Sequence, residues 1–573
     1  MSRAILAALP ALDAPALRAQ ARRILPVLVA AIVAVAFNAS FQGTMAADLD
    51  HRVLAGNFHN GHLWCFDNAW RMVSGAEPFG IATQRLGFPF AAAARCLAVV
   101  PALASTPSRL WLSPIGAYNL TILLTPALAV VAASLLVRRV TDMGAWSAAA
   151  VGLVYSVSPY VLGCFSGGQT CKAQVWCIPL ALWALSGAVS GPRRALNVAL
   201  TGVASVVLAY TEPTYAMIVP LVAVPWALLL IRRPILPHGA GALVGLTVMA
   251  AGIWTAKLYY VGGDDRLLLE LFEPASRLKS SGIPIPSPMA QPWPTLLGPP
   301  PLEVQAGAPN HVTYLGIPLL VAMLLGLPLR WRGRGVAGLA LVVGFVLALG
   351  EVLVSENQYV LSADRKLLLP AVLLARHDYP LAQSVMYYRA ITVASLGVAI
   401  GAMGASSRFR YGAIAAWLLA GITLWDTHRV MAPLWPLKSQ IPESSLYTLI
   451  NADPVPGAVV GLPLSSATQV GSGMVLDAVF TDRPSNGLVR FTAPGLANVD
   501  ALARSFAAAA TLPSPEGSAS LYAAGIRYLV TTPGEQIPEQ AALTRALGVP
   551  FRVGRRLVWR VGPPPQGGEP AHE

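Results

Sequence analysis

The side chains best suited to chemistry gather in one segment near the start of the chain. Asp48 and Asp50 stand one residue apart, and His59 and His62 follow them. A carboxylate in such a segment can act as a general base toward an acceptor hydroxyl. Two carboxylates can instead hold a divalent cation, Mg²⁺ or Mn²⁺, that binds a phosphate group. The alternative for all four residues is a solvated loop with ordinary Asp and His content.

The segment around the histidines has the pattern of a helix. His59 and His62 are three residues apart, so a helix would place both imidazoles on one face, where they are candidate substrate-binding residues. Apolar residues recur at helical spacing over residues 63–73, which predicts a helix in the membrane interface or packed on a bundle. Asp67 precedes Arg71 by four residues, which predicts a surface ion pair.

Four further charged residues flank apolar segments: Lys172, Glu212, Lys257 and Arg389. An acid at such a place is costly unless it faces a cavity or a partner. Glu212 is therefore a candidate to assist an acceptor or a metal ion, and a solvated helix end is the alternative. The three cations are candidates to bind a lipid phosphate or pyrophosphate and to stabilise its departure. Contact with ordinary lipid headgroups is the alternative for each of them.

The composition is that of an integral membrane protein. Of the 573 residues, 55% are hydrophobic and 12% are charged, and the mean hydropathy is +0.58. A soluble domain carries about 25% charged residues. The net charge of +13 comes largely from Arg pairs at the ends of apolar stretches, so it does not indicate nucleic-acid binding. The excess of Arg over Lys, with abundant Ala, Gly and Pro, indicates a bacterial protein of the inner (plasma) membrane.

Eleven apolar stretches are long enough to cross a bilayer. Short Arg-rich turns lie between alternate stretches, and such turns stay cytoplasmic. This predicts a cytoplasmic N-terminus over residues 1–23 and a transmembrane bundle over 24–429. It also predicts long outer loops at 42–114, 261–312 and 355–389. The predicted spans are 24–41, 115–137, 144–162, 173–190, 196–211, 213–231, 238–260, 313–329, 335–354, 390–406 and 411–428.

The hydropathy falls after about residue 430. Val459–Leu464, Ile526–Thr531 and Leu557–Val561 are short apolar runs typical of buried strands. They predict a small extracytoplasmic α/β domain over 430–562, followed by a disordered tail over 563–573. The sequence contains no P-loop, so ATP-driven transport by this chain alone has no support.

The five cysteines contain no CxxC pair, which argues against a zinc site. In the predicted topology Cys164 and Cys171 share one outer loop. A disulfide there and two unpaired thiols remain alternatives.

The motifs and their order resemble the GT-C superfamily of membrane glycosyltransferases, and more closely its bacterial YfhO-like members. The likeness covers most of the chain. It is carried by Asp48 and Asp50, Trp70 with Gly75 and Pro78-Phe79, 117–120 (AYNL), 156–160 (SVSPY), Trp176 with Pro179-Leu180, 314–316 (YLG), 461–463 (GLP) and 524–530 (AGIRYLV).

The resemblance implies a mechanism as well as a fold. In these enzymes an acidic residue of the first outer loop acts as a base or binds a metal ion, and the donor is a polyprenyl-phosphate sugar. That role falls on Asp48 or Asp50 here. The chain departs from many relatives at Gly168-Gln169, where they have Gly-His. Since glutamine does not titrate, any acid–base role at that position is lost.

The sequence therefore predicts an α-helical polytopic membrane protein of about eleven spans, GT-C-like, with a small C-terminal extracytoplasmic α/β domain. The predicted function is transfer of a sugar from a polyprenyl-phosphate donor to an envelope glycan, lipid or protein acceptor on the outer face. Asp48 or Asp50 would be catalytic. The alternatives are a lipid or glycan flippase or permease, and a non-catalytic envelope assembly protein.

Overall fold

The computed structural model describes most of the helical part of the chain. The described residues are 14–54, 57–77, 98–231, 234–260, 312–326, 328–350, 387–442, 444–462, 521–523, 525–531, 540–554 and 556–563, with the short pieces 82–83, 92–94, 354–355, 358–359, 361–362, 365–366, 369–370, 479, 492–493 and 519. Residues 261–311 of the outer loop predicted at 261–312 and residues 564–573 of the tail predicted at 563–573 lie outside them.

Eighteen α-helices are seen in the described residues. They are α1 (Ala14–Gln42), α2 (Thr44–Ala47), α3 (Asn57–Ser74), α4 (Val99–Ser105), α5 (Pro114–Val140), α6 (Ala145–Ser156), α7 (Pro159–Ser166), α8 (Thr170–Ala173), α9 (Cys177–Ser190), α10 (Arg194–Thr211), α11 (Pro213–Leu230), α12 (Ile235–Tyr260), α13 (Ile317–Gly326), α14 (Arg334–Ala348), α15 (Ile391–Gly404), α16 (Gly412–Met431), α17 (Ser444–Ala452) and α18 (Gln540–Leu547).

The strands of the described part are short. They are β1 (Val53–Leu54), β2 (Ala82–Thr83), β3 (Ala92–Ala94), β4 (Val354–Ser355), β5 (Gln358–Tyr359), β6 (Leu361–Ser362), β7 (Arg365–Lys366), β8 (Ser439–Gln440), β9 (Ala458–Leu462), β10 (Thr492–Ala493), β11 (Ile526–Thr531), β12 (Phe551–Val553) and β13 (Arg556–Arg560).

The chain divides into two compact units. Unit 1 comprises Met1–Gly43, Ile122–Gly167 and Cys171–Pro436, and unit 2 comprises Thr44–Thr121, Gly168–Thr170 and Leu437–Glu573. Unit 1 therefore contains most of the apolar helices. Unit 2 contains the first predicted outer loop and the C-terminal segment. The domain boundaries derived from the sequence stay predictions.

Unit 1 has the helices of a multi-pass membrane protein. Among the described residues, seven helical segments have the length and apolar composition needed to cross a bilayer, and α9, α13 and α14 are shorter apolar helices. Together with α16 they coincide with the predicted spans to within a few residues. The polytopic helical fold class is thus confirmed. The count of eleven crossings and the sidedness of the loops stay predictions.

Glycines let the helices α14 and α15 approach closely. A Cβ on Gly344 would lie 2.5 Å from the backbone nitrogen of Ala394 and 2.9 Å from the carbonyl oxygen of Ala390. A Cβ on Gly397 would lie 2.5 Å from the backbone nitrogen of Leu341. Small residues are common at helix contacts in membranes, where packing rather than the hydrophobic effect drives association.

A proline inside α5 leaves a carbonyl that another helix satisfies. Pro126 has no N–H, so the carbonyl of Ile122 loses its usual partner four residues on. The Asn38 side chain of α1 donates its Nδ2–H to that carbonyl at 3.1 Å. Gln42 then donates its Nε2–H to Asn38 Oδ1 at 3.0 Å, and both amides are fully buried. The amide pair fixes α1 against α5.

Unit 2 contains a four-stranded sheet in the order β12-β13-β11-β9. β9 and β11 are parallel, while β13 is antiparallel to both β11 and β12. One face packs Val460, Leu529 and Trp559 with Leu543 of α18, and the other packs Val459 and its neighbours on α17. Cover on both faces explains why the strands are nearly continuous apolar runs. The predicted α/β domain is confirmed, with strands close to the predicted bounds.

A second pairing in unit 2 was not foreseen from the sequence. Val53–Leu54, just after the acidic cluster, pairs antiparallel with Ser439–Gln440. The hydroxyl groups of Thr44 and Ser439 lie 2.7 Å apart beside this pairing. The segment after α2 and the segment that leads to the C-terminal sheet are thus held together within one unit.

We predict that Gly344→Leu destabilises the protein, by about 1–3 kcal/mol, because overpacking forces α14 and α15 apart. Gly338→Leu in the same helix is the matched control, since a Cβ at Gly338 meets nothing within 4 Å. The measurement is the midpoint of thermal unfolding in detergent. Equal midpoints for the two variants would contradict the close packing.

We also predict that Asn38→Leu costs about 1–3 kcal/mol, because it leaves the buried carbonyl of Ile122 without a donor. Pro126→Ala restores the N–H that the helix itself would supply. The double variant should therefore lose much less stability than the sum of the two single changes. Additive losses in a double-mutant cycle of unfolding midpoints would show that the carbonyl is not the cause.

Candidate functional site

The segment that carries the two predicted catalytic acids rests on the first turn of α5, within unit 2. Asp50 Oδ1 accepts a hydrogen bond from the Ser113 N–H at 2.9 Å, and the Asp50 carbonyl accepts one from Ser113 Oγ at 3.0 Å. Asn119 Nδ2 donates to the carbonyls of Leu49 and Arg52, at 2.7 and 2.6 Å. These four bonds hold the acidic turn in one place.

The sequence of the helix start explains this arrangement. Ser113 is the N-cap residue, and its Oγ accepts a hydrogen bond from the Gly116 N–H at 3.0 Å. Pro114 follows at the first helical position, where its missing N–H costs nothing. Gly116 is also required for space, because a Cβ there would lie 2.0 Å from Asp50 Oδ1. The positive end of the helix dipole favours a carboxylate at this point.

The two acids have different surroundings. Asp48 Oδ1 lies 2.7 Å from His51 Nδ1, and Asp48 Oδ2 lies 3.6 Å from Arg52 Nε. Asp50 is half-buried, and the bond from Ser113 is the hydrogen bond that its carboxylate makes among the described residues. Asp50 therefore keeps one oxygen anchored and the other available.

The predicted histidines lie in α3, which the helical spacing anticipated. His59 is fully buried, and its Nδ1 lies 2.7 Å from the hydroxyl of Tyr118. That hydroxyl lies 2.6 Å from Thr170 Oγ1. His62 is buried as well. A solvated loop is therefore the wrong interpretation for the histidines, and their role in substrate binding stays a prediction.

Asp67 forms the predicted ion pair with Arg71, but not at the surface. Arg71 Nε lies 3.0 Å from Asp67 Oδ2, and Arg109 Nη2 lies 3.5 Å from Asp67 Oδ1. The Asp67 side chain is only 3% exposed. The predicted ion pair is therefore present, but its predicted location at the surface was wrong. The sequence spacing predicted the pair with Arg71, four residues away, but not the contact with Arg109, which only folding brings close. Cys65, in the same helix, is disulfide-bonded.

Three of the predicted substrate-binding residues meet in a buried cluster of unit 1. Arg389 Nη1 lies 3.3 Å from Glu212 Oε1, and both side chains are at most 3% exposed. Arg389 also donates to the hydroxyl of Thr214, whose N–H donates to Glu212 Oε1 at 3.1 Å. Lys172 is buried too, and its carbonyl accepts a hydrogen bond from the Tyr215 hydroxyl.

Electrostatics keep Glu212 ionised. Burial alone would raise its pKa, but the charges of Arg389 and Lys172 and a hydrogen bond from Thr214 lower the pKa below the usual value for glutamate. The solvated helix end considered for Glu212 is therefore wrong. With two cations and one anion, the cluster carries a net positive charge.

Two predictions about other residues have different outcomes. Lys257 lies in α12, and its side chain is outside the described residues. Cys164, Cys171 and Cys177 are free and buried, so the Cys164–Cys171 disulfide is wrong and the unpaired thiols are correct.

A further buried acid lies in a predicted span and was missed. Asp426 of α16 accepts hydrogen bonds from the Tyr314 hydroxyl at 2.5 Å and from Arg429 Nη2 at 2.9 Å. A lone acid inside an apolar run is the signal that could have found it.

Within the described part of the chain, no group of three or more His, Cys, Asp and Glu side chains could hold a metal ion. At the acidic turn, Asp48 faces a guanidinium and an imidazole, and one oxygen of Asp50 is bound to a backbone N–H. This donor set does not fit a divalent cation as it stands. The assignment of Asp48 and Asp50 as metal ligands stays a prediction.

Comparison with known proteins places the fold. No protein-family model and no curated protein matches the chain. Arabinofuranosyltransferase AftD from Mycobacteria has a similar structure, with a TM-score of 0.53 and 15% identity over 94% of this chain. The fold is that of the GT-C glycosyltransferases. The resemblance seen in the motifs is thereby confirmed at the level of the GT-C fold.

Other solved structures with the GT-C fold are more distant. The Archaeoglobus fulgidus oligosaccharyltransferase has a TM-score of 0.46 and 10% identity, over 88% of this chain and 67% of that one. ArnT from Cupriavidus metallidurans has a TM-score of 0.42 and 13% identity, over 96% of this chain and 100% of that one. This chain covers 41% of AftD. At 15% identity the likeness to AftD shows the fold alone.

We predict that Arg389→Met destabilises the protein strongly, by about 3–5 kcal/mol, because it leaves the buried carboxylate of Glu212 with one cation fewer. The double variant Glu212→Gln/Arg389→Met should recover much of that loss. Arg332→Ala is the control, since Arg332 and Asp142 form an exposed pair at 3.1 Å that should contribute less than about 1 kcal/mol. Thermal unfolding midpoints in detergent compare the three variants, and equal losses would contradict the role of burial.

Proposed function

We propose that this protein transfers a sugar from a polyprenyl-phosphate-linked donor to an envelope acceptor on the outer face of the bacterial inner membrane. The observation that carries the proposal is the placement of Asp50, a half-buried carboxylate held at the start of α5 in a chain with the GT-C fold. A base must be held in place and still have a free lone pair, and Asp50 meets both conditions.

Asp50 is a better candidate for the base than Asp48. The carboxylate of Asp48 already faces the imidazole of His51 and the guanidinium of Arg52, and its side chain is 37% exposed. Asp50 has its orientation fixed by the Ser113 N–H through one oxygen, which leaves the second oxygen for an acceptor hydroxyl. Asp48 would instead hold the turn together through its two neighbours.

The proposed step is a single displacement. The free oxygen of Asp50 takes the proton of the acceptor hydroxyl as that hydroxyl oxygen bonds to the anomeric carbon of the sugar. The bond from the anomeric carbon to the phosphate oxygen breaks, and polyprenyl phosphate leaves with the bonding electron pair. The configuration at the anomeric carbon inverts.

Other parts of the proposal rest on the sequence predictions. Lys172, Lys257 and Arg389 would bind the donor phosphate, and Glu212, His59 and His62 would assist substrate binding. The C-terminal α/β domain would bind or position the acceptor. Arabinofuranose, the sugar in the name of AftD, is the first sugar to look for among the envelope glycans.

Transport of a lipid or glycan is the second candidate. Ionisable residues buried in a membrane bundle often mark a transport path, and the cluster of Lys172, Glu212 and Arg389 is buried. A transporter would need that cluster and tolerate loss of Asp50. A non-catalytic assembly protein would tolerate changes at both places and need the C-terminal domain.

We expect Asp50→Asn to abolish sugar transfer, with a loss of at least about 100-fold, because asparagine cannot take the proton. Envelope glycans and glycolipids of a deletion strain are compared after complementation with wild type, Asp50→Asn, Asp48→Asn and the double variant, at matched membrane levels. Wild type should restore a missing glycan, and Asp48→Asn should restore part of it.

Asp142→Asn is the control for this experiment, because Asp142 is exposed and lies in an Arg-rich turn predicted to be cytoplasmic. It should behave like wild type. Full restoration by the double variant Asp48→Asn/Asp50→Asn would exclude catalysis by the acidic turn. Loss of the glycan in Arg389→Met together with full activity of Asp50→Asn would favour transport.

A further inference from the structure

We propose that Arg109 is a positioning residue for Asp50, acting through the peptide group between Leu112 and Ser113. The effect of Arg109 on catalysis rests on the proposed function. Its effect on the position of Asp50 does not. Arg109 lies in the 3₁₀ turn Thr106–Leu110 that leads into α5. No motif of the sequence singled it out.

Arg109 and Asp50 bind the two ends of one peptide group. Arg109 Nη1 donates to the carbonyl oxygen of Leu112 at 2.9 Å, and the Ser113 N–H donates to Asp50 Oδ1 at 2.9 Å. The Leu112 carbonyl and the Ser113 N–H belong to the same planar trans peptide, in which they point in opposite directions. The guanidinium therefore sets the direction of the N–H that holds Asp50.

Polarisation of this peptide group also favours the hydrogen bond to Asp50. A charged donor on the carbonyl oxygen draws electron density from the peptide group, and this strengthens the hydrogen bond that its N–H donates. Burial lowers the pKa of Arg109, the charge of Asp67 opposes this effect, and the charges of Arg71 (lowering) and Asp50 (raising) contribute less. The guanidinium and the carboxylate thus stabilise each other across one peptide unit.

Arg109 is itself held by contacts with α3. Asp67 lies 3.5 Å from Arg109 Nη2, and its carboxylate is buried in α3. Arg71 occupies the other oxygen of Asp67 at 3.0 Å, which fixes the carboxylate. The guanidinium carbon also lies 5.9 Å from the centre of the Trp70 ring, in a cation–π contact. A rigid anchor on α3 therefore reaches Asp50 through Arg109.

The experiment measures position and activity separately in the full-length protein. Hydrogen exchange at the Ser113 amide reports the bond to Asp50 directly. The rate of labelled-sugar incorporation in membranes of the complemented deletion strain, which contain the strain's own donors and acceptors, reports activity. The variants are Arg109→Gln, Arg109→Lys and Asp67→Asn, with Arg138→Gln as control, since Arg138 is exposed in the last turn of α5.

Arg109→Gln should make hydrogen exchange at the Ser113 amide at least about tenfold faster. It should also lower the transfer rate by up to about 100-fold, because displacing a catalytic base by about 1 Å can reduce the reaction rate by that factor. Arg109→Lys keeps the charge beside Asp67 and should retain normal membrane levels with an intermediate transfer rate. The double variant Arg109→Gln/Asp67→Asn should be no slower than Arg109→Gln alone. Arg138→Gln should match wild type in both measurements.

The outcomes separate this inference from the proposed function. Unchanged exchange at Ser113 in both Arg109→Gln and Arg109→Lys would overturn the positioning role, whatever the activity. Faster exchange with full transfer activity would confirm the structural part and overturn catalysis by Asp50. If Arg109→Gln does not accumulate, Arg109→Lys, which keeps the ion pair, decides the question with the same two measurements.

Discussion

A buried polar group needs a partner, because apolar surroundings offer no water to replace it. Two places in unit 1 show how this need is met. Pro126 removes a donor, and Asn38 of another helix replaces it. Arg389 is buried before α15, where Glu212 offsets its charge and Thr214 accepts a hydrogen bond from it. In both cases the polar side chain supplies a partner that a backbone carbonyl or a buried charge would otherwise lack.

The same rule shapes unit 2, where it acts on chemistry as well as on stability. Asp67 takes two arginines, and one of these arginines satisfies the carbonyl of Leu112. The peptide that carries this carbonyl then binds Asp50. A single unbroken series of contacts thus runs from a buried carboxylate to the proposed base. The base is held without losing its second oxygen, which is the condition for it to accept a proton.

Close packing accounts for the small residues of the chain. Gly344 and Gly397 let the backbones of α14 and α15 touch, and Gly116 makes room for the carboxylate of Asp50 at the start of α5. In a bundle surrounded by lipid, such contacts replace the hydrophobic effect as the source of helix association. Composition alone shows many glycines, but only the packed structure distinguishes those that contact a neighbour from those, such as Gly338, that do not.

The sequence by itself determined the class of the protein, the positions of the helices and the strands of the C-terminal sheet. These depend on local hydropathy and on periodicity, which a linear reading contains. It also singled out Asp50, Glu212 and Arg389 as charged residues beside apolar segments. The tertiary structure alone decided that Arg389 pairs with Glu212, that Arg109 joins Asp67, and that Asp50 rests on Ser113. These partners are 177, 42 and 63 residues apart, and no local pattern links residues that only folding brings together.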